Sequence, residues 1–230
     1  MFSLTPVETE ALSLSLRVAL AAVAGCLPVG LLTAWVLARY EFPGKSLINA
    51  VVHLPLVVPP VVVGYVLLVM FGRRGVLGSW LWENLGISIA FTWKGAAVAA
   101  AVMAFPLMVR AIQLSIESVD RGLEMAAWTL GAPRWWCLLT VTFPLILPGV
   151  LTGIVLAFAR SLGEFGATIT FVSNIPGETQ TLPLALFSLT QTPGGDAGAF
   201  RLVVLSVVLA FAALIASEAL ARRVDRKISR

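Results

Sequence analysis

The sequence predicts an all-α integral membrane protein with about five transmembrane helices. Hydrophobic residues make up 59% of the chain and charged residues only 12%, whereas a soluble domain carries about 25% charged residues. The mean hydropathy is +0.94. The net charge of +4 comes from basic residues scattered at the ends of apolar runs. Because these residues form no basic patch, we expect no nucleic-acid partner. The high hydrophobic and low charged fractions exclude an ordinary soluble domain.

Five apolar runs reach the roughly 20 residues that a helix needs to cross the hydrocarbon core of a bilayer. The first run follows Glu8 and Glu10 instead of a basic segment and is longer than a signal-peptide core, so we expect it to be retained. A shorter apolar patch, residues 182–189, cannot span, which leaves a re-entrant or an interfacial segment. The five runs cover residues 12–38, 47–70, 87–109, 145–172 and 202–221.

The second run is interrupted by Pro55 and by the adjacent pair Pro59 and Pro60. Prolines remove backbone donors, and the carbonyl groups they free are tolerated at membrane depth only beside neighbouring helices or a water-filled cavity. We therefore expect this helix to break at the prolines and to face the interior of the protein.

Basic residues that flank the five runs predict the orientation of the chain. Ten lie on the side that carries the C-terminus and five on the other side. Because cytoplasmic flanks are richer in lysine and arginine, we expect the N-terminus outside and the C-terminus inside. Residues 1–11 then form a periplasmic N-terminus, residues 110–144 a cytoplasmic loop and residues 222–230 a basic cytoplasmic tail.

Two charged residues, Arg160 and Glu164, lie within the fourth run. A charge at the centre of a bilayer costs about 2.5–3.5 kcal/mol on insertion scales, so such residues are usually interior and functional. Their spacing of four places both on one helical face, which leaves open an internal ion pair, a role in a translocation pathway, or both. The candidate pathway residues are Arg160, Ser161, Glu164, Thr168, Pro59 and Pro60.

A polar, helix-forming segment lies between the third and fourth runs. It contains Glu124, the pair Ala126 and Ala127, then Gly131 and, thirteen residues later, Pro144. The two alanines have small side chains, so another protein can approach this face of the helix closely. Glycine readily adopts the left-handed backbone conformation that ends a helix. Proline is tolerated where the next helix begins. These residues predict a short helix that is presented outward.

The order of these residues resembles the coupling loop of ABC importer permeases. That motif is Glu-Ala-Ala, three residues, Gly, nine residues and Ile-x-Leu-Pro, and Ala126, Ala127, Gly131 and Pro144 fall on its spacing. The acid departs from the motif, since Glu124 stands one place earlier. A plain connector between helices is the alternative that the motif alone leaves open. The resemblance implies that Glu124, Ala126, Ala127, Gly131 and Pro144 form the loop that couples to an ATPase.

Three further segments, 54–60, 159–168 and 174–179, resemble the molybdate and sulfate branch of these permeases. The compact length and the sequence Ser-Asn-Ile-Pro-Gly at 173–177 are most similar to molybdate permeases. The resemblance implies a type I ABC importer permease bundle over residues 12–221. It also implies an inner-membrane subunit that imports molybdate or tungstate by alternating access. A sulfate or thiosulfate permease and an ion-coupled carrier are the alternatives.

The same resemblance implies the partners. They are a second copy of the chain, two ABC ATPase subunits, a periplasmic oxyanion-binding protein and the lipid bilayer. We expect no cofactor, no metal and no catalytic residue in the chain itself. The only histidine, His53, has no companion ligands, and Arg39 stands where a phosphate-binding loop ending at Gly44-Lys45-Ser46 needs a glycine. ATP hydrolysis is therefore expected on a partner chain.

Overall fold

The computed structural model describes residues 5–228, with side chains to residue 215. Over this range it contains helices and connecting segments and no strand. Residues Leu138–Thr142 form a π-helical turn. The helices are α1 (Pro6–Arg39), α2 (Lys45–Val57), α3 (Pro60–Phe71), α4 (Val76–Leu85), α5 (Trp93–Glu117), α6 (Arg121–Thr129), α7 (Arg134–Cys137), α8 (Phe143–Leu162), α9 (Gly166–Val172), α10 (Leu182–Thr190) and α11 (Asp196–Ile228).

Among the residues described, four helical segments are long and apolar enough to cross a membrane. The pair α2 and α3 meets the same test when taken together, although the two helices are bent by 112°. The expectation of an all-α chain with about five spans is therefore confirmed. The four segments are Pro6–Arg39, Trp93–Glu117, Arg134–Leu162 and Asp196–Ile215.

The core is built from α1, α5 and α8, which pack side by side. Small residues allow close contact, because a Cβ added at Gly149 of α8 would lie 2.1 Å from the Ser115 Cβ of α5. Ala104 and Ile112 of α5 are fully enclosed between the two neighbouring helices. This core holds the ends of α1, α5 and α8 in fixed relative positions.

The first helix begins at Pro6, before the apolar run. Thr5 caps it, since the Thr5 Oγ1 accepts from the Glu8 backbone N–H at 3.4 Å and the Thr5 N–H donates to Glu8 at 2.8 Å. The buried Glu8 carboxylate also forms an ion pair with Arg201 of α11, whose Nη2 lies 2.8 Å from Oε1. This pair joins the beginnings of α1 and α11. Of the predicted segments 1–11 and 222–230, residues 1–4, 229 and 230 and the side chains of 222–230 lie outside the described residues.

The predicted start of the third span is wrong. Residues 87–92 are not helical, and α5 begins at Trp93 and continues to Glu117. Thr92 sets this start, because its Oγ1 accepts from the Gly95 N–H at 3.4 Å and caps the first turn. The apolar run at 87–109 gave no sign of this cap, because a threonine can also lie inside an apolar helix.

The predicted fourth span, 145–172, is wrong at its start and in its continuity. The helix begins at Arg134, runs through the π-helical turn and ends at Leu162, and α9 follows as a separate helix. The wide turn ends at Thr142, two residues before Pro144, and includes residue 140, whose carbonyl would clash with the proline ring in a regular helix. Pro144 therefore lies in the first turn of α8, as predicted, although the helical path already begins at Arg134.

The apolar patch at 182–189 forms α10, a helix of nine residues. It packs on α1 and α11, and Leu182 and Leu184 are buried. The Leu182 N–H donates to the Ser15 Oγ of α1 at 2.7 Å. As predicted, α10 is too short to span a bilayer, and its buried side is anchored to the first helix.

Gly64 of α3 packs closely against α9, and this contact gives a stability prediction. A Cβ added there would lie 2.5 Å from the Ala167 carbonyl oxygen, whereas a Cβ at Gly25 of α1 would meet nothing within 4 Å. We expect Gly64→Ala to destabilise the protein by about 1–3 kcal/mol through overpacking. Gly25→Ala should be neutral or slightly stabilising. Thermal unfolding in detergent compares the two variants, and equal stability would contradict the close α3–α9 contact.

Candidate functional site

The first candidate site is α6, which is held at both ends by local backbone interactions. Asp120 precedes it and accepts from the Gly122 N–H at 2.8 Å. At the other end Gly131 has a φ of +86°, the left-handed conformation that its position in the motif predicts. The N–H of Gly131 donates to Trp128 and that of Ala132 to Ala127, both at 3.0 Å. This pair of bonds is a Schellman motif, and it fixes where α6 stops.

The outer face of α6 and the segment that follows it are apolar and exposed. Leu130 is 88% exposed and Met125 is 55% exposed. Ala126 is exposed beside them, whereas Ala127 is half-buried. A concentration of exposed large apolar side chains on and next to one short helix marks an interaction site. The other large side chains on this surface are Leu123, Trp128, Trp135 and Trp136.

Glu124 is buried beside these side chains, in the wall of an open cavity that Trp128 and Trp135 also line. Arg39 Nη1 donates to Oε2 at 3.0 Å, and Arg39 Nη2 donates to Oε1 at 2.5 Å. Thr142 Oγ1 donates to the same Oε1 at 2.6 Å. Sequence reasoning named Glu124 but missed Arg39 and Thr142 as its partners. Arg39 is 85 residues away, and no local pattern signals such a contact.

The second candidate site lies where two helix breaks meet. The α2–α3 break falls at Val58 and Pro59, as the prolines predict, and the α8–α9 break falls between Leu162 and Gly166. A Cβ added at Gly166 would lie 2.8 Å from the Pro60 Cβ. The structure therefore brings Pro60 against the start of α9, although about a hundred residues separate them.

Arg160 and Glu164 form an ion pair across the α8–α9 break. Arg160 Nη1 lies 2.6 Å from Glu164 Oε2, with the Glu164 side chain 2% exposed and that of Arg160 28% exposed. Oε2 accepts no hydrogen bond from the described residues, so this contact is electrostatic alone. The other oxygen, Oε1, accepts from the Ala167 N–H at 2.8 Å. The expected common helical face is wrong, since α8 ends at Leu162 and the Glu164 carboxylate caps the first turn of α9.

The remaining pathway candidates differ in burial. Ser161 and Thr168 are buried, and the Ser161 hydroxyl has no hydrogen-bond partner among the described residues. Pro59 is exposed. Arg160 is partly open to its surroundings, with its side chain 28% exposed, and is paired with the buried Glu164. Such an arrangement can receive an anion and release it again, because Glu164 opposes tight binding.

Comparison with known families assigns the class of the protein. The family described as binding-protein-dependent transport system inner membrane component matches residues 27–226. The chain belongs to this family, and it is a multi-pass protein of the inner membrane. The matched region includes both candidate sites.

Individual relatives and solved structures agree with that assignment. The chain is 61% identical over 219 residues to the molybdenum transport system permease protein ModB of Escherichia coli K12, covering 95% of this chain and 96% of the relative. It is 41% identical to the probable sulfate transport system permease protein cysT of Chlorokybus atmophyticus, over 78% of this chain and 63% of the relative. These relatives are transport permeases and not enzymes.

The fold matches that of a bacterial ABC transporter involved in alginate import. The TM-score is 0.75 at 18% identity, and the match covers 96% of this chain and 80% of that chain. At this identity the likeness concerns the fold alone. The chain has the all-α bundle of a type I ABC importer permease, as the coupling-loop resemblance implies.

Proposed function

We propose that this chain is the permease subunit of an ATP-driven molybdate importer. The observation that carries the proposal is the 61% identity to a molybdenum transport permease over nearly the whole length of both proteins. Tungstate, an oxyanion of the same shape and charge, is a second substrate. A sulfate permease is the runner-up, but the sulfate relative is less similar and longer than this chain.

In the proposed complex, α6 is the docking helix for an ATPase subunit. The support is its exposed apolar face and its fixed ends, on the loop that the distribution of basic residues places in the cytoplasm. ATP is hydrolysed on the partner chain. Glu124, Ala126, Ala127, Gly131 and Pro144 remain the coupling-loop residues, with Ala126 on the exposed face and Glu124 inside.

The proposed complex contains two permeases, two ATPases and a periplasmic oxyanion-binding protein. A single chain leaves wide apolar faces without a partner: no residue of α2 is buried, and Val61 and Tyr65 of α3 are exposed. A second copy covers part of these faces and encloses a path between the two bundles. The N-terminus lies outside and the C-terminus inside.

The test of the substrate is stimulation of ATP hydrolysis in the reconstituted complex. Proteoliposomes hold the permease and its cognate ATPase, and the binding protein is added with molybdate, tungstate or sulfate. Hydrolysis should rise several-fold with molybdate and tungstate and stay basal with sulfate. Stimulation by sulfate alone would replace the molybdate importer by the sulfate permease. Transport without any ATPase would instead support an ion-coupled carrier.

The translocation path is proposed to run past the two helix breaks. Single cysteines at 57, 61, 62 and 63 should then differ in their reaction with a water-soluble thiol reagent during turnover. We expect reaction at 57, 61 and 62, which are exposed, and little at 63. The native Cys26 and Cys137 are buried and give a low background. Uniformly unreactive positions would place this face against lipid or packed protein and remove the path from α3.

A further inference from the structure

The Glu124 carboxylate is buried within the permease, unlike the exposed face of α6 that is proposed to bind the ATPase. Its side chain is 10% exposed and that of Arg39 is 14% exposed. Arg39 and Thr142 already donate to both carboxylate oxygens. Glu124 lines an open cavity together with Trp128 and Trp135, but both of its oxygens are already engaged by donors of the permease itself. Its interactions lie within the permease.

The three residues of this cluster belong to three different elements. Arg39 is the last residue of the 34-residue helix α1. Glu124 lies in the first turn of α6. Thr142 is the last residue of the π-helical turn and directly precedes α8. The Glu124 carboxylate therefore connects α6 to the end of α1 and to the start of α8.

The remaining contacts of α6 are local. Its main packing is against α7 and the π-helical turn, close by in the sequence. The link to α1 depends on the two hydrogen bonds from Arg39, which are charge-assisted and bidentate. Such a pair fixes orientation as well as distance, because both donors of the planar guanidinium are engaged. A sideways displacement of α6 is therefore passed on to α1.

We infer that Glu124 is a positioning residue that makes α6 move as one body with the end of α1 and the start of α8. The inference rests on the proposed docking of an ATPase at α6, and it adds how the movement enters the membrane helices. The exposed face of α6 binds the partner, and the buried carboxylate transmits the displacement. Loss of the carboxylate should uncouple ATP hydrolysis from transport without loss of docking.

The test compares Glu124→Gln with Glu41→Gln in the full complex. Glu41 is a matched control, since it is an acid near the end of α1 whose side chain is 89% exposed and pairs with Lys45. Spin labels at Tyr40→Cys and Arg121→Cys report the distance between the end of α1 and the start of α6, with and without ATP. Molybdate transported per ATP hydrolysed is measured on the unlabelled proteins.

With Glu124 present, the label distance should stay the same when ATP binds. In Glu124→Gln it should broaden or shift with ATP, and transport per ATP should fall at least tenfold while the ATPase still copurifies. Glu41→Gln should behave as the unmodified chain. A purely structural role would lower thermal stability without making the label distance depend on nucleotide, and that outcome overturns the inference.

Two further outcomes separate a failure of the positioning role from a failure of the proposed docking. Normal coupling and a fixed distance in Glu124→Gln, with the ATPase bound, overturn the positioning role and leave the docking function intact. Failure of the ATPase to copurify with the unmodified chain overturns both. If Glu124→Gln does not insert, Arg39→Lys takes its place, because it keeps the positive charge but cannot donate to both carboxylate oxygens from one planar group. A fixed label distance in that variant overturns the inference.

Discussion

Replacement of Arg160 by alanine is expected to lower both stability and transport. Glu164 would remain buried without its counter-charge, a change that costs about 3–5 kcal/mol for a buried pair. We expect the lower part of this range, because the Ala167 N–H still donates to Oε1 and because Arg160 is 28% exposed. The measurements are thermal unfolding in detergent and molybdate uptake in proteoliposomes.

The double variant Arg160→Ala with Glu164→Gln separates a structural role from a role in the path. It leaves no unpaired charge, and the glutamine oxygen can still accept from the Ala167 N–H. Stability should therefore recover relative to Arg160→Ala. If Arg160 also meets the anion, uptake should stay at least tenfold below that of the unmodified chain. Full recovery of uptake would show that the pair is structural only.

Substitution at Gly131 is expected to abolish coupling by displacing α6. A β-branched side chain at a φ of +86° is strained by about 1–3 kcal/mol, so Gly131→Val should break the Schellman end of the helix. Gly131→Asn is the matched control, since asparagine tolerates the left-handed conformation. The valine variant should insert normally but bind less ATPase and transport poorly, while the asparagine variant stays near the unmodified level. Equal ATPase binding and equal uptake in the two variants would contradict a docking role for α6.

The features that followed from the sequence are those set by local chemistry. The apolar runs locate the spanning helices, the prolines at 59 and 60 locate the α2–α3 break, and Gly131 marks the end of α6. Each of these depends on hydrophobic length or on the backbone preference of a single residue. Such features can be predicted without knowledge of the tertiary structure.

The features that the sequence did not reveal depend on distant contacts or on weak local preferences. Arg39 and Glu124 are 85 residues apart, so only the fold shows that they meet. The α8–α9 break at Gly163 lies in an apolar run without proline, and it depends on the Glu164 carboxylate capping α9. The start at Arg134 was missed because Pro144 does mark the first turn of α8, and the π-helical turn that joins α7 to α8 has no local sequence signal.

The central claim is that this permease carries molybdate by using ATP hydrolysed on a partner that docks at α6. The most direct test is uptake of radioactive molybdate into proteoliposomes that contain the permease and its ATPase, with the binding protein outside and ATP inside. Uptake should require ATP and the binding protein, fall at least tenfold in Gly131→Val, and persist in the presence of excess sulfate. Uptake that continues without ATP, or that excess sulfate abolishes, would contradict the claim.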